Sequence, residues 1–72
     1  MSNSQPDLQL IDRWEVVRML GISESTLERM QVREEKFPLP RRLGSRSVRW
    51  LRHEVEHFIR SLEVVDYFDD DT

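Results

Sequence analysis

Apolar side chains recur along this chain at two different periods, and the changes between them outline its elements. Trp14, Val17 and Leu20 fall at helical spacing behind Asp12, which with Glu15 three residues on resembles an N-cap and its reciprocal carboxylate. Gly21 closes that short helix as the residue past its last turn. Ile22 is an apolar hinge, and Ser23 caps a second helix over residues 24–33, with Leu27 and Met30 on its buried side. Only Gly21-Ile22-Ser23 joins the two helices, the length and chemistry of a helix-turn-helix.

Phe37-Pro38-Leu39-Pro40 does not continue the helix, because each proline pushes the residue before it to extended geometry. Beyond it, Val48 and Trp50 alternate with Ser47 and Arg49 at the period of two that marks a half-buried strand. Gly44-Ser45 supplies a two-residue turn, so Arg41-Arg42-Leu43 and the run from Arg46 to Trp50 are expected to form a β-ribbon with an arginine-rich outer face. Over residues 51–62, Val55, Phe58, Ile59 and Leu62 return at i, i+3, i+4 and i+7, a third helix. The expected fold is mainly α with a short two-stranded β-ribbon: a winged helix-turn-helix in the order helix, turn, helix, wing, helix. Residues 1–7 read as a disordered lead, 8–62 as the folded domain and 63–72 as an acidic, flexible tail. The spacing of Trp14 and Trp50 with Val17, Leu20 and Val48 assigns both tryptophans to the core rather than to base stacking.

Composition narrows the function classes. Seventy-two residues make one small domain that buries about 60% of the surface its unfolded chain exposes. The absence of cysteine excludes a disulfide frame, a thiolate zinc site and a cysteine nucleophile. No long apolar run suits a membrane span or a signal peptide, so the expected location is the cytoplasm. A glycine-rich phosphate loop, a Ser/His/Asp set and a cofactor fingerprint are all missing, so no enzyme, cofactor or small-molecule substrate is expected.

The net charge of −3 hides a segregation. Residues 36–60 carry seven basic side chains against two acidic ones, whereas residues 63–72 carry five acids and no base. Ten of the eleven basic residues are arginine, whose rigid fork suits phosphates and guanine edges. Double-stranded DNA is therefore a candidate partner for a protein of acidic net charge.

One motif points elsewhere. His53-Glu54-Val55-Glu56-His57 matches H-E-x-x-H, in which two histidines one turn apart bind zinc and the glutamate acts as base. With Val55 facing the core, however, His53 and His57 fall near the opposite side of the helix at about 100° per residue, toward water. Arg60 stands where metzincins need glycine, and so short a chain lacks a second lobe for a substrate cleft. The histidines are read as exposed residues without a metal role.

The string Trp14-Glu-Val-Val-Arg-Met-Leu-Gly-Ile-Ser-Glu-Ser-Thr-Leu27, then Phe37-Pro-Leu-Pro40, Leu43-Gly-Ser-Arg46-Ser-Val48-Arg-Trp50 and Glu54-Val55-Glu-His-Phe58-Ile59, resembles the AlpA family across about residues 10–62. Its members are small phage- and prophage-associated regulators with a MerR-like winged helix-turn-helix. The acidic run after Leu62 lies outside the family pattern. The resemblance implies transcriptional regulation of prophage or integrative-element genes, and it equally allows an excisionase-like architectural role steering an integrase. RNA polymerase or an integrase is the protein partner each role would bring.

The outward side of the second helix then becomes a recognition surface. Ser25, Arg29, Val32 and Arg33 point away from Leu27 and Met30, with Thr26 and Glu28 at the margins. Arginine can take guanine O6 and N7 bidentately, and Ser25 or Thr26 at the helix start suits a phosphate. On the ribbon, Arg41, Arg42, Arg46 and Arg49, with Ser45 and Ser47 between them, are assigned to backbone or minor-groove contact. The alternative for the arginines is an edge strand guarded by charge. The tail has three readings: a solubilising extension, a docking segment using Val64, Val65, Tyr67 and Phe68 in a protein-interaction module, or an electrostatic mimic of DNA folded onto the wing.

Overall fold

Local hydrogen bonds set the first half of the chain. A computed structural model of the protein describes residues 8–65; the disordered lead expected at 1–7 and the tail from Asp66 onward lie outside the described residues. Asp12 Oδ1 accepts the Glu15 amide at 3.0 Å and starts helix α1, Arg13–Leu20. The reciprocal half of the expected box is replaced by a contact along the helix, Glu15 to Arg18 at 3.7 Å. Gly21 ends α1 at φ +68, a left-handed conformation open to glycine at no steric cost. Its amide donates to the Val17 carbonyl at 2.8 Å while that of Ile22 reaches the same oxygen at 3.1 Å. Ser23 Oγ then accepts the Thr26 amide at 3.2 Å and starts α2, Glu24–Arg33.

The second half differs from the expected two-stranded ribbon. Strands β1, Leu10–Ile11, β2, Arg41–Leu43, and β3, Ser47–Leu51, form a three-stranded antiparallel sheet in the order β1-β3-β2. Leu10 faces Leu51 and Ile11 faces Trp50 across the added pair. Two residues are too few to show an alternation, which is why β1 left no periodic signal. The connection between β2 and β3 has three residues rather than two, since Leu43 pairs with Ser47 and leaves 44–46 as the turn. Gly44 adopts φ +84 there. Helix α3 runs Arg52–Arg60, shorter than the expected 51–62, and Leu62 is exposed beyond it. Its first amide, that of Arg52, donates to the carbonyl of Gln9 at 2.9 Å, tying α3 to the residue just before β1.

The core gathers Ile11, Val16, Val17, Leu27, Phe37, Trp50, Val55 and Phe58, with Met19, Leu20, Ile22, Met30 and Ile59 packed around it. Trp14 is a correction: it is 64% exposed, whereas Val16 is fully buried. At about 100° per residue Val16, Leu20 and Val17 share one arc of α1, and Trp14 falls about 60° beyond its edge. Val48, expected inward beside Trp50, is exposed because the ribbon runs past the body that covers Trp50. Phe37, expected only as part of a connection, is instead buried at 3% exposure.

Candidate nucleic-acid interface

Helix α2 buries one residue fully, Leu27, packs Met30 against the core beside it and turns its other side outward. Ser25, Arg29, Val32 and Arg33 are all exposed, and Val32 at 85% stands in open solvent. The marginal residues are engaged. Thr26 is half-buried, and its Oγ1 accepts from Ser23 Oγ at 3.1 Å and from Arg29 Nη2 at 3.3 Å. Arg13 of α1 lies 3.6 Å from Glu24 and 3.8 Å from Glu28, so one guanidinium offsets two carboxylates that would repel a polyanion. Arg29 and Arg33 have no carboxylate within ion-pair distance among the described residues. The exposed face of α2 thus offers two arginines and one apolar side chain with the neighbouring acids partly neutralised.

The β2–β3 register distributes the hairpin arginines. Arg41 pairs with Arg49 and Arg42 with Val48. Residues directly opposite share a face and faces alternate along a strand, so Arg41 and Arg49 lie on one side with Leu43 and Ser47. Arg42 lies on the other side with Val48 and Trp50, and Arg46 occupies the turn. The single arginine-rich outer face expected of the ribbon is therefore two faces and a tip. Two like charges directly opposite are unfavourable. Glu54 relieves this pair by accepting from Arg41 Nη2 at 2.9 Å. Arg49 donates to the Val48 carbonyl at 2.8 Å, and Arg42 approaches the Ser45 carbonyl at 3.5 Å. None of the ion pairs among the described residues involves Arg42, Arg46 or Arg49. Ser45 is exposed at the turn, and Ser47 is half-buried.

Of the two histidines in H-E-x-x-H, only one stands in water as expected. His57 is exposed but His53 is half-buried, and both line a groove of about 930 Å³ between α3 and residues 36–41. That segment is pulled against the helix by Phe37, so the flank carrying the histidines gains a wall that periodicity does not reveal. Glu54, the base of a zincin reading, is held by Arg41. The described residues contain no cluster of three metal-ligating side chains. No helix among them is long and apolar enough to cross a membrane.

Two features escaped the sequence reading: Arg13, which reaches across the helix pair to Glu24 and Glu28, and the groove along α3. Neither leaves a local signal, because each joins residues of separate elements. Comparison with known proteins gives one result: residues 9–63 match the family described as prophage CP4-57 regulatory protein (AlpA). No curated protein and no solved structure gives a significant match.

Proposed function

The chain belongs to the AlpA family of phage regulatory proteins, and from that premise we propose that it is a sequence-specific double-stranded DNA-binding regulator built as a winged helix-turn-helix. In this reading α1 and α2 are the helix-turn-helix pair, α2 enters the major groove and the β2–β3 hairpin is the wing. The observation that carries it is the outer face of α2, where Arg29 and Arg33 stand exposed beside Val32 with no acid paired to them among the described residues. Arginine supplies bidentate guanine readout and valine an apolar contact of the kind a thymine methyl takes. Arg13 draws Glu24 and Glu28 aside, which keeps the approach to a polyanion favourable.

The hairpin adds a contact of a different kind. Arg41 and Arg49 face each other across the strands, Arg46 caps the tip and Arg42 serves the opposite side. An oxyanion placed between the cross-strand pair relieves their mutual repulsion, the physical condition for a phosphate grip. The protein acts by binding rather than by catalysis, on prophage or integrative-element genes. An excisionase-like role, in which the same contacts bend DNA for an integrase, uses the identical surface and differs in the DNA shape produced.

Titration of a duplex pool at several salt concentrations tests the reading. Three to four hairpin arginines on phosphates give a slope of log K against log salt of about −3 to −4. A slope near zero, or no binding to any duplex, defeats it. Circular permutation gel shifts on a selected site then separate a bender from a straight-site regulator.

A further inference from the structure

The groove along α3 is not part of the surface assigned to DNA, apart from Arg41 at one end. Pro38, Leu39, Pro40 and Phe58 give it an apolar lining, and Leu39 is 68% exposed there. Lys36, His53 and His57 stand along it, while the single acid in the lining, Glu54, is engaged by Arg41. A site of this chemistry fits an aromatic segment flanked by carboxylates. We propose that its occupant is the chain's own residues 66–72, Asp-Tyr-Phe-Asp-Asp-Asp-Thr, seated through Tyr67 and Phe68 with the aspartates against Lys36 and Arg41.

Three observations select this occupant. The first is charge: residues 66–72 carry four aspartates and no base. The second is position. Ser61, directly after α3, lines one end of the groove, and only residues 62–65 separate it from the segment that would fill the site. The third is reach. His53 to Ser61 spans about 12 Å at 1.5 Å per residue, and seven extended residues cover about 23–25 Å. The segment can double back along the full flank of α3 and still bring its carboxylates to Arg41. Tethering gives it a high effective concentration, so modest contacts suffice. Docking here occupies Arg41 and leaves Arg42, Arg46 and Arg49 free, which distinguishes it from a tail wrapped on the hairpin. The proposal does not depend on DNA binding.

The chain contains no cysteine, so Thr72→Cys gives a single attachment point for a nitroxide on the otherwise unaltered chain. With the label in place, the amide signals of Leu39 and His53 should broaden while those of Arg29 and Arg33 stay sharp. The same labelled protein carrying Tyr67→Ala and Phe68→Ala should lose the broadening, and neither change alters a residue that lines the groove. Labelled protein mixed with isotope-enriched unlabelled protein should show none, as an intramolecular contact requires. Broadening centred on residues 42–49, broadening spread evenly over the surface, no broadening at Leu39 and His53, or broadening in the mixed sample each overturns the proposal. The last of these would make a second copy the occupant.

Discussion

Phe37 meets Phe58 edge to face, with ring centroids 4.9 Å apart and planes inclined at 76°. Both rings are buried, so this contact, with the Arg41–Glu54 pair, holds the proline-flanked segment against α3 and shapes the groove between them. Phe37→Ala is expected to cost about 3–5 kcal/mol, the range for truncating a buried aromatic. In so small a domain that is a large share of the total stability. Phe37→Leu should retain most of it. Thermal unfolding followed by circular dichroism measures both, and a Phe37→Ala protein melting like the parent would show that the segment is not anchored there.

The two tryptophans should behave as opposites. Trp50 is 1% exposed and Trp14 is 64% exposed. Trp14→Ala is expected to change stability by less than about 0.5 kcal/mol, Trp50→Ala by about 3–5 kcal/mol. Trp50→Phe should lose less than the alanine change, because a ring still fills most of the space and the indole N–H it removes is buried with no acceptor among the described residues. Iodide quenching of each single-tryptophan protein reports the same contrast; equal quenching would refute the burial difference.

Between the helices, backbone conformation rather than packing governs the cost of change. A Cβ added at Gly21 meets nothing within 4 Å, so Gly21→Ala bears only the left-handed penalty of about 1–2 kcal/mol. Ser23→Ala removes the acceptor of the Thr26 amide and should cost about 1 kcal/mol. Urea denaturation of the two variants and of their combination tests this, and a neutral Gly21→Ala would contradict the assigned turn.

On DNA, Arg29 and Arg46 are expected to fail differently. Arg29→Ala should cost about 1–3 kcal/mol on the preferred site and relax discrimination between sites. Arg46→Ala should weaken all duplexes alike and reduce the salt slope by about one unit. Competition binding with matched and mismatched duplexes separates the two; identical profiles would dissolve the division between reading and gripping.

Arg13→Ala offers a third test of the same surface. Removing its guanidinium leaves Glu24 and Glu28 uncompensated beside the outer face of α2. These pairs are exposed and each contributes under about 1 kcal/mol to stability, so the melting temperature should hold while DNA affinity falls. An affinity unchanged at low salt would mean that the two acids lie away from the phosphates.

What was legible in the sequence was local. Asp12, Gly21 and Ser23 act on backbone groups within four residues of themselves, so their identities alone located both helix starts and the turn. Leu27 and Val55 sit at the centre of one apolar stripe and were placed correctly for that reason. Trp14 was misplaced because Trp14-Val17-Leu20 and Val16-Val17-Leu20 are both helical arcs, and only packing chooses between them. Phe37 was read through its prolines, which describe the backbone and say nothing of where the ring goes. In the candidate site the outward set on α2 followed from the position of Leu27. The division of the hairpin arginines between two faces needed the register, which a one-residue change in the turn alters.

The pairing of Leu10 with Leu51 has a consequence for how the protein comes into being. Strand β1 lies at one end of the domain's sequence and β3 close to the other, so their ladder closes a loop of roughly forty residues. Trp50 and Ile11, both buried, meet only when that loop is closed. During synthesis β1, α1 and α2 emerge with little to bury against, and β3 and α3, which bring Trp50, Val55 and Phe58 to the core, follow only afterwards. Assembly therefore depends on late-arriving sequence: a chain that stops before β3 lacks Trp50, Val55 and Phe58, and the apolar stripes of α1 and α2 have no partner to cover them.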